Sequence, residues 1–196
     1  MRKNRDNNQS SHVETKMDTC KQKLTRLQND VFRLLCVKAG GVLNQREIAK
    51  GLHVSPTAVA KSLPALEKEG LLTMTKDKKM NLVNVELNRE NPKAIAFKRI
   101  ENLKMICETD FVASIEERFP SCAIILFGSY SKGEDTKKSD IDIAIIRSKR
   151  KMIDLAPYEK MLERKIYLHC YEHFDMDKNL KTNIINGLTL SGMVGP

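Results

Sequence analysis

Apolar residues change their spacing several times along this chain, and each change predicts an element. Residues 1–22 are polar and lack apolar periodicity, which predicts a flexible basic tail. Leu24, Leu27, Val31, Leu34 and Leu35 then recur at helical spacing, with Gly40-Gly41 placed to close that helix. Asn44 and Glu47 form a capping-box pattern ahead of a short helix carrying Ile48, Ala49 and Leu52. Ser55-Pro56 opens a third helix with the stripe Val59, Leu63, Leu66, and Gly70 ends it. Pro64 falls inside that stripe. A proline there removes a hydrogen bond and disfavours helical geometry at Leu63, so a kink or early break is predicted.

From Leu71 the period drops to two. Residues 71–75, a charged tip at Lys76-Asp77-Lys78-Lys79, and the alternation Val83, Val85, Leu87 predict a hairpin. Asn91-Pro92 starts another helix. Ile100, Leu103, Cys107, Phe111, Ile115 and Phe119 extend the helical repeat to Pro120, with an interruption near Thr109-Asp110. Residues 122–127 form a short continuous apolar run, the pattern of a buried strand. Ile141, Ile143 and Ile145 alternate in a second strand, and residues 166–171 read as a third. Helices are expected at 157–165 and 180–187. The fold class is therefore α+β: three helices and a β-hairpin, joined by a long helix to a small mixed-sheet domain. The expected division is 1–22, 23–91, 92–119 and 120–196.

Charge sharpens this division. Residues 1–98 carry 19 Lys/Arg against 10 Asp/Glu, whereas residues 99–196 carry 15 of each. The whole formal surplus of +9 thus lies in the first half. A basic half beside a neutral half fits a nucleic-acid-binding module joined to something else, although a solvated lysine-rich surface carries the same charge. The 5 cysteines are scattered without a C-x-x-C pair, which argues against a disulfide framework or a thiolate zinc site. No apolar run reaches the ~18 residues of a membrane span and no signal peptide is visible, so no membrane association is expected and cytoplasm is the default.

The first module resembles the winged helix-turn-helix family over about residues 23–88. The segments that carry the likeness are Gln45-Arg46-Glu47-Ile48-Ala49-Lys50-Gly51-Leu52, Val54-Ser55-Pro56-Thr57-Ala58-Val59 and Leu66-Glu67-Lys68-Glu69-Gly70-Leu71-Leu72. The resemblance implies binding to double-stranded DNA, with Ser55, Thr57, Ala58 and Lys61 at the major groove and Lys76, Lys78 and Lys79 near phosphates. That surface has no Arg or Asn for strong bidentate base contacts, which implies weak or shape-led specificity. Docking to protein or dimerisation is the competing use of such a domain.

In the second module, Gly128-Ser129 follows the first strand and Asp140-Ile141-Asp142 opens the second. A glycine there lets backbone amides approach a ligand closely. Ser129 adds a hydroxyl at an expected helix N-terminus, a natural anion site. Asp140 and Asp142, two apart on a strand, are predicted to share one face, roughly 7 Å apart at the backbone. Two carboxylates on an apolar strand repel each other and are costly to desolvate. A divalent cation removes that cost, and Mg²⁺ prefers such oxygens alongside substrate phosphates.

With its ten-residue spacer at 130–139, this stretch resembles the minimal nucleotidyltransferases of the DNA polymerase beta superfamily. The likeness extends over about residues 100–196, including the tail Asn183-Ile184-Ile185-Asn186-Gly187-Leu188. It implies that Gly128 and Ser129 bind a triphosphate, that Asp140 and Asp142 hold Mg²⁺ (or Mn²⁺) and are catalytic, and that Lys132 contacts phosphate as a point charge where small members have arginine. An exposed loop lysine is an equally weighted reading of Lys132. The family also supplies a third carboxylate from a later strand. The corresponding face here offers Tyr167, His169 and Tyr171, none acidic, with Glu172 just beyond. His169 could serve as a base or a substitute ligand, but a structural histidine is the favoured reading. The implied activity is transfer of a nucleoside monophosphate from an NTP to an acceptor hydroxyl, a protein being one candidate acceptor. The alternative is a non-catalytic transcription regulator built on a degenerate fold. A homodimer through the 92–119 helix is a weaker expectation.

Overall fold

The computed structural model describes residues 24–77, 82–173 and 175–193. The tail expected at 1–22, and Lys78 and Lys79 of the hairpin tip, lie outside them. Helix α1 (Arg26–Val37) begins with a capping box between Thr25 and Gln28. It ends at Val37, before the glycine pair, and Gly40 at φ +75° turns the chain afterwards. A two-residue strand, β1 (Leu43–Asn44), leads into α2 (Gln45–Leu52), with the Asn44–Glu47 capping box formed as the sequence predicts.

Ser55 caps α3 (Pro56–Lys68), accepting a hydrogen bond from the Ala58 N–H at 3.1 Å. The helix runs through Pro64 without the early break expected there. Pro64 is exposed, so water can satisfy the carbonyl that its missing N–H leaves, while Leu63 and Leu66 hold the helix to the core. The hairpin β2 (Leu72–Asp77) and β3 (Leu82–Leu87) is antiparallel, with Leu72 opposite Leu87, and β1 pairs on the outer side of β3. Val31, Leu35, Ile48, Val59, Leu63, Leu66, Leu71 and Val85 close the core of this half.

Helix α4 (Pro92–Cys107) starts at the Asn91 cap and belongs to both halves. Ala94 packs into the first core and Met105 and Ile106 into the second. The interruption expected near Thr109-Asp110 separates it from α5 (Phe111–Arg118). Next come β4 (Ala123–Phe127), the single-turn helix α6 (Gly128–Lys132) and β5 (Ile141–Ile146). Helix α7 (Ala156–Leu162) ends earlier than expected because Glu163 adopts a left-handed conformation, φ 52°. Strand β6 (Ile166–Tyr171), helix α8 (Lys178–Ile185) and a strand the sequence pattern did not predict, β7 (Leu188–Ser191), complete the described chain.

The second sheet has the order β6-β5-β4-β7, with β5 and β6 parallel and the other pairs antiparallel. Alternation splits its side chains between two faces. Ile141, Ile143 and Ile145 face a core with Ile124, Leu126, Phe111 and Ile115. Ala144, Ile146, Ala123, Ile125 and Phe127 face the other way, under Ile184 of α8. That second apolar patch is small, and it leaves the β6-side end of the face open for polar groups. Among the described residues, no helix is long and apolar enough to cross a membrane.

Candidate functional site

The open end of that face gathers three of the four residues named by the nucleotidyltransferase pattern. Gly128 opens α6 directly after β4, at φ +75°, and stands beside β5, where Phe127 pairs with Asp142. A Cβ on Gly128 would lie 2.9 Å from Asp142 Oδ2, closer than real atoms approach. The backbone conformation favours glycine, and a side chain there would in addition push the Asp142 carboxylate aside. Asp142 is about one-third exposed. Ser129, half-buried on the first turn of α6, has no side-chain hydrogen bond among the described residues.

Asp140 sits differently from the expectation. Strand β5 begins at Ile141, whose N–H donates to the Lys165 carbonyl at 2.8 Å, so Asp140 precedes the ladder rather than standing within it. It is exposed and has no ion-pair partner among the described residues. It lines a cleft of about 470 Å³ together with Lys137, Lys138, Lys160, Arg164 and Lys165. Lys165 is itself paired with Glu159 at 2.7 Å. Among the described residues neither aspartate is paired with lysine or arginine.

Lys132 is exposed at the end of α6, lining a different cleft with Arg89, Arg99 and Leu188, on the α4 side. The structure does not bring it into the cleft lined by Asp140. Glu172, considered as the missing third acid, lies beyond β6, is exposed, and sits 3.6 Å from Lys149. It is not at the site.

The position where the third acid was sought is held by His169. In the parallel register His169 pairs with Ala144 and Tyr167 with Asp142, so all share one face. The His169 ring reaches back toward Asp142, with Nε2 3.0 Å from Oδ1. The Phe127 ring meets it edge-on, with centroids 5.4 Å apart. Tyr171 lies on the same face, its phenol raised above the ordinary value by burial and then by the Asp142 charge. The alternation of β6 named this histidine's face, but only the parallel register shows that its ring meets the aspartate.

Among the described residues, no three His, Cys, Asp or Glu side chains converge closely enough to enclose a metal by themselves. A cation held at Asp142 would have to complete its shell with water and with oxygens from a ligand, which is how Mg²⁺ is usually held.

The spacer between Gly128-Ser129 and Asp140 is anchored from below. A Cβ on Gly133 would come within 2.5 Å of the Ile95 carbonyl oxygen, so the loop lies directly on the α4 backbone. Asp135 is fully buried and bonded by the Lys98 ammonium, by Asn102 Nδ2 at 2.7 Å and by Arg164 Nη2 at 3.4 Å. Arg164 also donates to the Val37 carbonyl at 2.8 Å, and the Lys137 N–H donates to the Ala39 carbonyl at 2.9 Å. Burial pushes the Lys98 ammonium pKa down, opposed by the Asp135 carboxylate. None of this network was anticipated, because a lysine on a helix reads as a solvated residue.

In the first half, Thr57 and Lys61 are exposed one turn apart on α3, and Ala58 is half-buried beside them. Ser55 is exposed, but its hydroxyl is engaged in capping. Lys76 is exposed on β2.

Residues 34–73 match the family described as winged helix-turn-helix DNA-binding, and residues 115–190 match the family described as polymerase beta, nucleotidyltransferase. Among curated proteins, none matches the chain. Solved structures similar to it include the adhesin competence repressor AdcR of Streptococcus pyogenes, 25% identical over 50% of this chain and 70% of that one, with a TM-score of 0.39. ZitR, a zinc-responsive MarR family member from Lactococcus lactis, is 25% identical over 51% of this chain and 64% of its own, with a TM-score of 0.37. YusO of Bacillus subtilis is 23% identical over 43% and 60%, with a TM-score of 0.35. The chain joins a winged helix-turn-helix domain to a nucleotidyltransferase domain of the polymerase beta type.

Proposed function

We propose that the protein is a DNA-tethered nucleotidyltransferase that moves a nucleoside monophosphate from an NTP to an acceptor hydroxyl and releases pyrophosphate. The observation that carries this reading is the seat of Asp142: a partly exposed carboxylate on a central strand, without a lysine or arginine partner among the described residues, against a glycine turn that leaves it no side chain to clash with. In this reading the Gly128-Ser129 turn receives the triphosphate, with the unpaired Ser129 hydroxyl as a donor. Asp142 holds the divalent cation, with Asp140, two residues before it, as the second carboxylate. When bound, that cation orients the phosphates and offsets charge on the departing pyrophosphate. Lys132, on the α4 side, is assigned to the outer phosphates as a point charge. The acceptor is a hydroxyl-bearing molecule, a protein side chain among the candidates.

The winged helix holds the enzyme at double-stranded DNA, with Thr57, Ala58 and Lys61 of α3 at the groove and Lys76, Lys78 and Lys79 along the backbone. Ser55 serves there chiefly by fixing the helix start. A pair of chains on a duplex is consistent with this mode of binding.

Incubation with α-labelled NTPs, a divalent cation and candidate acceptors tests the catalytic half. Incorporation should fall by about a hundredfold or more in Asp142→Asn. Incorporation that survives both Asp140→Asn and Asp142→Asn sinks the proposal. A second reading, a non-catalytic regulator that binds nucleotide and alters DNA affinity, is favoured by the lack of any carboxylate on the exposed face of β6. Nucleotide binding without turnover, coupled to a change in duplex affinity, would select it.

A further inference from the structure

The geometry points to His169 as a direct metal ligand: we infer that its Nε2 completes, with Asp142 Oδ1, a mixed nitrogen–oxygen site that prefers Mn²⁺ over Mg²⁺. This inference rests on the proposed reading of Asp142 as a metal carboxylate and deepens it by naming the class of cation.

Three observations support it. First, Nε2 and Oδ1 are 3.0 Å apart. Adjacent donors of an octahedral cation at about 2.1 Å lie about 3.0 Å from each other, so a cation fits this pair without moving either side chain. Second, an aromatic neighbour packs against the ring on the side of β4. Phe127 lies edge-on against the imidazole and is itself packed in the apolar patch under Ile184. Third, nothing else competes for the pair. Among the described residues neither side chain has a lysine or arginine partner, and both are partly exposed, at 38% and 33%. As they stand the two atoms hydrogen-bond each other; a cation between them would take the place of that proton, the imidazole then carrying its proton on Nδ1 and turning the Nε2 lone pair to the metal. The position held by a carboxylate in an all-oxygen site is here held by nitrogen.

That exchange has a chemical consequence. Mg²⁺ is a hard cation that favours oxygen, whereas imidazole suits later and more polarisable metals. Mn²⁺ stands lowest among the first-row divalent metals for nitrogen donors but accepts them more readily than Mg²⁺, and it shares the oxygen ligands and octahedral geometry of Mg²⁺. Asp140 and the phosphates supply oxygen ligands around the His169–Asp142 edge.

The full chain titrated with Mn²⁺ alone, followed by electron paramagnetic resonance, reports binding without any need for turnover. We expect pulsed measurements on the bound ion to show coupling to a directly ligated ¹⁴N that disappears in His169→Gln. In His169→Asp the preference should move toward Mg²⁺, by on the order of tenfold in the Mg²⁺ concentration needed to displace Mn²⁺. His169 is partly exposed, so both variants should fold, and circular dichroism checks that they do. Bound Mn²⁺ that is lost in Asp142→Asn but shows no ¹⁴N coupling, with an unchanged metal preference in His169→Asp, overturns the inference and leaves the aspartate site standing. Mn²⁺ binding that ignores Asp142→Asn overturns both.

Discussion

Gly128 shows how much chemistry one absent side chain controls. Its φ of +75° is a conformation that costs a side-chain-bearing residue about 1–2 kcal/mol, and a Cβ there would also press on Asp142 Oδ2. Gly128→Ala should therefore lower stability by at least that amount in urea unfolding, and weaken metal binding through the displaced carboxylate. A variant as stable as the wild type, with metal affinity intact, would show that the turn can yield. Cys36 offers a contrast. Burial drives its thiol well above the ordinary range, whereas Cys107 is exposed. Iodoacetamide should label Cys107 and spare Cys36 until the chain unfolds.

Among the elements, the junction of α7 and β6 depends on one carboxylate. Glu159 accepts from Lys165 Nζ at 2.7 Å and from the Ile166 N–H at 3.0 Å, and Lys165 first, then Ile166, hold its pKa below the usual value. A carboxyl whose folded value lies below its unfolded one stabilises above the unfolded value, and that contribution is lost as pH falls through the folded one. Protection of the Ile166 amide from hydrogen exchange should thus be unchanged at neutral pH, fall on the acid side of the ordinary glutamate range, and be reduced at all pH values in Glu159→Gln. Much of this architecture was legible from spacing alone. Continuous or alternating isoleucines identify β4 and β5, and cap residues such as Asn44, Ser55 and Asn91 mark helix starts to the residue. What escaped has physical reasons. Strand β7 is four residues long, and β1 only two, too short for any period to register. Asp140 lies outside the ladder because the β5–β6 register begins at Ile141, a fact set by pairing between segments distant in sequence. The site's aspartates and glycine were identifiable as a motif, whereas the contact between His169 and Asp142 depends on that same long-range register.

At the scale of the whole molecule, the first half should bind duplex DNA through counterion release. Lys61→Ala and Lys76→Ala should each reduce the slope of log affinity against log salt by about one, without changing sequence preference at Lys76. Unchanged slopes in both would place the DNA elsewhere. The two halves are joined by more than α4. Asp135→Asn strands the buried Lys98 ammonium and should cost about 3–5 kcal/mol, most of it recovered when Lys98→Met is added, since replacing both partners removes the uncompensated charge. Asp135, five residues before Asp140 in the chain, is also a meeting point: α4 holds it from one side, and Arg164 links it to the last carbonyl of α1. A duplex that moves α1 against α4 would have to do work on this one carboxylate, and so would a nucleotide that moves the loop. Under the proposed function, thermodynamic reciprocity then requires that whatever factor nucleotide imposes on duplex affinity, the duplex imposes on nucleotide affinity, so that DNA itself would act as an effector of nucleotide binding.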